Sequence, residues 1–441
     1  MVGHGEYGAA HLPDGLDCDS GFLGPFEKGG IAGDVGAGHN IDAPGLQLGK
    51  VKVSGETVDW LVDLGCDVVD TVNSWPAIHS IDRVHRANPP ESGLGWMRGL
   101  QDAIEERGIE VMFKSSADKL IQAEDGRVLG AQVTAEDGSV LNIKGTKGVL
   151  VATGGCGANE EAWKKYCPIM KEVYEAQPMI PTTGPKELNA DSYRMIEEVG
   201  GYVYPIPPAY SGGCMFVNEQ GDTIAPSVLP YRWAKEGIID INNQGERFCD
   251  ETSFPDFYDK KVWAKQPGKQ WWLLLDSRLM ATEDGQTYLQ PKIDLGLENG
   301  LEPGADTFAS ADTLDELASI LDIPADALKN TVEEFNALVG TTEPDEFGRI
   351  EFLHKVEEPP YWAIRMKINV GGSKGGCKIN EDAQVLDVSL NPIPGLYAAG
   401  ESAFFQFHGN ASTHIPGACN SISATFGRIA ARSMVAQEAV A

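Results

Sequence analysis

The 441-residue chain is 42% hydrophobic and 23% charged, a length and composition that imply two or three globular domains with sizeable cores. Acidic residues outnumber basic ones 65 to 35, for a formal charge of -30, so the surface repels phosphate backbones and anionic lipid, and neither nucleic acid nor a membrane surface is an expected partner. The eight cysteines and eight histidines show neither C-x-x-C nor H-x-x-x-H spacing, which argues against a metal centre or disulfide framework and for reduced, buried thiols.

The first element is a motif without a scaffold. Gly3, Gly5 and Gly8 spell G-x-G-x-x-G in MVGHGEYGAA, the turn that aims a helix N-terminus at a pyrophosphate, yet only Met1 and Val2 precede it. The following stretch, HLPDGLDCDSGFLGP, carries prolines and glycines where a helix would be needed, and each proline costs a helix about 3 kcal/mol. Either this start is a degraded nucleotide-binding unit or the glycines are a chance motif in a tail. Regular structure begins after Lys50. GETVDWLVDLG and GLGWMRGLQDAIEERG read as helices, the second closed by Gly108. IEVMF reads as a short strand, and KLIQAEDGRVLGAQVTAEDGSVLNIKG as alternating strands joined at Asp-Gly turns. The apolar strand GVLVATGG ends in a glycine turn. From about 211 to 360 aromatic residues, loops and helices dominate, among them LDELASILD and ADALKNTVEEFNALVG. The tail returns to strands in GGCKINEDAQVLDVSLNPIPGLYAAGE and closes with the helix SISATFGRIAARSMVAQEA. Apolar runs such as 271–275 and 148–152 are too short to span a bilayer, and no basic segment precedes an apolar one at the start. A cytoplasmic protein without membrane insertion is the expectation, an upstream signal apart.

Two of these elements carry chemistry. GVLVATGGCGAN places a Gly-Gly turn at the end of a buried strand, where backbone can lie against a ligand or make only a tight structural turn. GLYAAGE repeats the pattern and sets Glu401 just past its strand, as a ligand for a polyol hydroxyl or as a surface acid.

With EKGG, KLIQAEDGRVLGAQV, VLVATGGCGAN, NNQGERFCDE, LKNTVEEFNALV, GGCKIN, IPGLYAAGE and FGRIAA in this order, the chain from Glu27 onward resembles the fumarate reductase/succinate dehydrogenase flavoprotein superfamily, which includes flavocytochrome-type fumarate reductases and ketosteroid dehydrogenases. The resemblance implies an α/β fold: a Rossmann-like FAD-binding domain, its first strand and helix missing or degraded, with an inserted α+β capping domain. The blocks are 1–210 and 361–441 for FAD and 211–360 for the cap. Glu27 stands 19 residues after Gly8, the register of an acid that holds the adenosine ribose. By resemblance, FAD contacts Gly3, Gly5, Gly8, Glu27, Lys28, the loop with Gly33, Asp34, Gly38 and Asn40, the backbone near Ala117 and Asp118, then Ala152, Thr153, Gly154, Gly155, Asp191 and Glu401, and the turn with Gly417, Ala418 and Cys419. Some members attach flavin through a histidine; Gly33 occupies that position here and His39 is displaced from it, so non-covalent FAD is expected.

The resemblance also fails informatively. Pro255 stands where fumarate reductases carry a proton-donating arginine, His414 where a second arginine clamps a carboxylate, Gly372 where a histidine belongs, and Pro230 and Tyr231 where the cap carries T-E. These changes remove the donors that recognise a dicarboxylate. In their place are Tyr231, Trp233, Phe254, Phe257, Tyr258, Phe404, Phe405 and Phe407, which line an apolar slot or serve as ordinary packing. His414, Tyr231 and Tyr258 are the candidate proton-handling groups, with His408 behind them; Arg247 is assigned to packing. The implied reaction moves hydride between flavin and a carbon–carbon bond of an enone or other non-dicarboxylate small molecule. No C-x-x-C-H haem motif is present, so a separate electron donor or acceptor is expected. The alternatives are a dicarboxylate reductase of fumarate reductase type and a non-catalytic remnant that cannot retain FAD.

Overall fold

The computed structural model describes residues 43–68, 93–167, 175, 188–204, 213–217, 223–226, 236–252, 265–283, 285–368, 375–403 and 418–438. Helix α1 (Ala43–Asp63) begins earlier than the sequence predicts and buries Thr57 and Leu61, four residues apart, on one face. Helix α2 (Gly93–Glu106) ends as expected, with Gly108 at φ +60°. The predicted strand IEVMF is not formed: residues 109–113 are irregular, with Ile109 55% and Phe113 80% exposed. Among the described residues no strand pairs with this segment, and β-favouring side chains do not make a strand without a ladder partner.

Strands β1 (Ser116–Gln122), β2 (Val128–Thr134) and β3 (Val140–Lys144) form the expected antiparallel meander. Its turns work through Asp-Gly: Gly126 and Gly138 take φ +86° and +81°, while Asp125 and Asp137 accept from the amides of Arg127 and Ser139. Strand β4 (Val149–Val151) leads to helix α3 (Glu160–Tyr166), capped by the Asn159 side chain, and to helix α4 (Asp191–Glu198).

The middle of the chain adds β5 (Val203–Tyr204), β6 (Gly213–Val217), β7 (Thr223–Pro226), β8 (Ile239–Asn242) and β9 (Trp271–Asp276). Helices α5 (Ser277–Met280) and α6 (Gln290–Glu298) precede β10 (Phe308–Ala311). After helices α7 (Leu314–Leu321) and α8 (Ala325–Leu338) comes β11 (Tyr361–Arg365). The order β10-β11-β9-β8 makes one antiparallel sheet. The run WWLLLD in β9 is apolar throughout because both faces are covered. Trp272 and Leu274 join Ile239, Ile241 and the helices α7 and α8 in one buried cluster, and Leu273 and Leu275 join Leu279, Ile293 and Phe308 in another. Each such side chain contributes roughly 1.5–3 kcal/mol by leaving water.

The chain then forms β12 (Lys367–Ile368), β13 (Gly376–Cys377), β14 (Gln384–Leu386) and β15 (Pro392–Ala398), and ends its described part with helix α9 (Ala418–Ala436). Strand β15 lies between β14 and β4, antiparallel to the first and parallel to the second. A third buried cluster surrounds this sheet and draws Val151, Trp163, Tyr193 and Ile196 together with Leu396, Tyr397, Ile422 and Phe426. Residues 120–203 and 377–430 therefore share one core. Cys66, Cys156, Cys167, Cys249 and Cys377 are buried, as expected. Among the described residues no helix is long and apolar enough to cross a membrane.

Candidate functional site

The parallel pairing of β4 with β15 brings the two glycine-ended strands side by side. Val151 stands opposite Ala398, and the Ala399 amide continues the ladder to the Val151 carbonyl at 3.2 Å. Both strands thus run out at the same carboxyl edge, the place where parallel sheets open a ligand crevice. Gly154 turns at φ +83° and Gly400 at φ +65°; only glycine adopts these values without strain. At Gly154 a Cβ would also lie 2.3 Å from Leu188 Cδ2, so that methyl would have to move aside.

Three side chains tie the turns together. Ser192 Oγ donates to the Gly154 carbonyl at 2.7 Å, and Ser402 Oγ donates to the same oxygen at 3.1 Å. The Tyr193 hydroxyl is shared between the carbonyls of Gly375, at 2.8 Å, and Glu401, at 3.1 Å. All three residues are at most 1% exposed. Sequence reasoning missed them; the only signal was adjacency, Ser192 and Tyr193 following Asp191 and Ser402 following Glu401.

Of the predicted cofactor residues, Ala152, Thr153, Gly154, Gly155, Asp191 and Glu401 gather at this edge. Ala152 and Thr153 are exposed, and Asp191 and Glu401 half-buried. Asp191 opens α4 and pairs with Arg194 at 3.2 Å, and the Ala190 amide just before it donates to the Gly155 carbonyl at 3.1 Å. Ala418 and Cys419 open α9, whose Ser423 Oγ lies 3.6 Å from the Cβ position of Gly400, so the first turns of that helix flank the Gly400 turn. Ala117 is half-buried on β1 and packs on the same core. Its neighbour Asp118 accepts from Thr134 Oγ1 at 2.5 Å, and the end of β1 reaches α4 through Gln122 Nε2 on the Val199 carbonyl at 3.2 Å. Gly3, Gly5, Gly8, Glu27, Lys28, Gly33, Asp34, Gly38, Asn40 and Gly417 lie outside the described residues, as do His414, Tyr231 and Tyr258.

The edge fits a dinucleotide cofactor by its donors. The amides of Gly154 and Gly155 take no part in the hydrogen bonds among the described residues, a carboxylate-bearing residue, Glu401, sits in the second turn, and the opening of α9 supplies a helix N-terminus beside it.

A charged cluster stands where residues 239–251 pass from one core to another. Arg247 grips Glu251 through two bonds of 2.7 and 2.8 Å and Asp345 through a third of 2.5 Å, and Arg349, fully buried, donates to Glu251 at 2.8 Å. The Phe335 and Phe352 rings lie under both guanidinium groups. Arg247 is thus engaged in packing and ion pairing. Next to this cluster Cys249 Sγ donates to Asp240 Oδ2 at 3.4 Å. Burial first, then the charge of Glu251, pushes the Asp240 carboxyl up to about 7.

The sequence family described as "FAD binding domain" matches residues 35–414. The chain is 29% identical over 391 residues to the NADH:acrylate oxidoreductase of Vibrio harveyi, covering 86% of this chain and 36% of that protein. It is 28% identical over 355 residues to a probable fumarate reductase of Shewanella frigidimarina, covering 79% and 54% respectively. Among solved structures, the open conformation of a flavocytochrome c3 fumarate reductase superposes with a TM-score of 0.70 at 26% identity, covering 89% of this chain and 64% of that one. The chain therefore spans about a third to a half of the length of these two curated relatives.

Proposed function

Because the chain belongs to the FAD-binding domain family, we propose that it is an FAD-dependent oxidoreductase acting on the carbon–carbon bond of an enone or other non-dicarboxylate small molecule. The observation that carries the reading is the shared edge of β4 and β15, where the Gly154 and Gly400 turns meet. Bound FAD supplies hydride transfer at its flavin ring. Ala152 to Gly155, Asp191, Glu401 and the opening of α9 would hold it, without a covalent link. Residues 1–210 and 361–441 form the cofactor domain in this reading, and 211–360 the cap that closes over the substrate. The cap excludes water and places the reacting carbon. His414, Tyr231 or Tyr258 handles the proton on the adjacent carbon, and a separate redox protein or small carrier exchanges electrons with the flavin.

The relatives are named for acrylate and fumarate, both activated alkenes, which supports the reaction class. Their names also favour a second reading, a carboxylate substrate. Against a dicarboxylate stands the replacement of both arginines, by Pro255 and His414, which leaves no bidentate clamp at those positions. Oxidation of a reduced dye by the FAD-loaded protein separates the two. Turnover of cyclic enones in preference to fumarate supports the proposal, and preferential turnover of fumarate refutes it. A protein that stays colourless after incubation with FAD is the inactive remnant.

A further inference from the structure

The Gly154 carbonyl is held from two sides. Ser192 reaches it from α4 and Ser402 from the turn after β15, 38 and 248 residues away in the chain. A carbonyl has two lone pairs, and these two hydroxyls use both. The peptide that follows is planar and trans, so the Gly155 N–H points opposite to that carbonyl, and it donates to none of the described residues. Between two glycines such a peptide rotates with little steric resistance. Released, it has two orientations, one presenting N–H to a ligand and one presenting C=O.

We propose that Ser192 and Ser402 are positioning residues that lock the Gly154–Gly155 peptide with its N–H toward the flavin cofactor, making this edge of the crevice a hydrogen-bond donor. The inference rests on the FAD reading above. Tyr193 serves the same end at the neighbouring turn, where its buried hydroxyl fixes the backbone of Glu401 and Gly375. An amide donor facing the flavin favours the reduced form, which carries more negative charge.

The test uses the full chain reconstituted with FAD and compares it with Ser192→Ala and Ser402→Ala. Either change leaves one hydroxyl on the carbonyl, so the fold is retained, and equal urea midpoints check this. Each variant is expected to bind oxidised FAD about 3- to 10-fold more weakly by flavin fluorescence. The two-electron midpoint potential is expected to fall, by about 30 mV for each tenfold by which reduced flavin loses more affinity than oxidised. Unchanged affinity and potential overturn the proposal. So does weaker binding with an unchanged potential, which would mark the serines as packing alone. Failure of the unmodified chain to bind FAD at all instead overturns the cofactor reading, and the proposal with it.

Discussion

Asp240→Asn is the substitution whose consequence the structure specifies most closely. The Asp240 amide donates to Glu251 Oε1 at 3.1 Å, its Oδ2 accepts from Cys249, and its Oδ1 is sealed from solvent without a well-formed hydrogen bond. Burial and the Glu251 charge raise the carboxyl from its ordinary value to about 7, against the smaller opposing pulls of Trp271, Cys249 and Arg247. Between about pH 4 and 7 the folded protein therefore keeps a proton that the unfolded chain has lost. The native state binds more protons across that window, so this group's contribution to stability is intact at low pH and declines as pH rises through 7. At about 1.4 kcal/mol for each pH unit, the decline is bounded by about 4 kcal/mol. Asparagine carries no charge and still offers Cys249 an acceptor. Urea denaturation is expected to show wild type and variant nearly equal at pH 4.5 and the variant more stable at pH 8, by about 2–4 kcal/mol. Titration of carboxylates remote from Asp240 is common to both proteins and cancels. A variant-minus-wild-type difference that is the same at both pH values refutes the reasoning.

Gly400→Ala is expected to cost about 1–2 kcal/mol from the left-handed backbone alone, since a Cβ there would make only an ordinary van der Waals contact with Ser423, at 3.6 Å. Gly154→Ala combines that strain with the 2.3 Å approach to Leu188 and should be the worse of the two in thermal denaturation and in FAD retention. Arg349→Met leaves Glu251 with Arg247 as its remaining cation; loss of about 3 kcal/mol is expected, because truncating one partner strands buried charge, and urea midpoints measure it. Thr313→Ala breaks the capping box that Thr313 and Glu316 form at the start of α7, for a loss of about 1 kcal/mol, with FAD binding unchanged.

Local pattern was enough to read much of the fold. The Asp-Gly turns announced the meander, and the 3.6-residue periodicity announced α2, α7 and α8. These features are written in neighbouring residues, where turn chemistry and amphipathic spacing act within a few positions. IEVMF misled for the same reason: its composition favours a strand, but a strand exists only through a ladder partner. At the site, the two glycine turns and Glu401 were legible because left-handed turns demand glycine.

What the amino-acid order determined by itself was thus the set of local elements and the family motifs they carry. Only the tertiary structure decided that β4 and β15 lie in parallel contact, that Ser192 and Ser402 converge on one carbonyl, and that Asp240 is shut in beside Glu251. Each of these depends on groups from distant parts of the chain meeting in a dry interior, and hydroxyls or carboxylates leave no periodic trace of the partner they will find there.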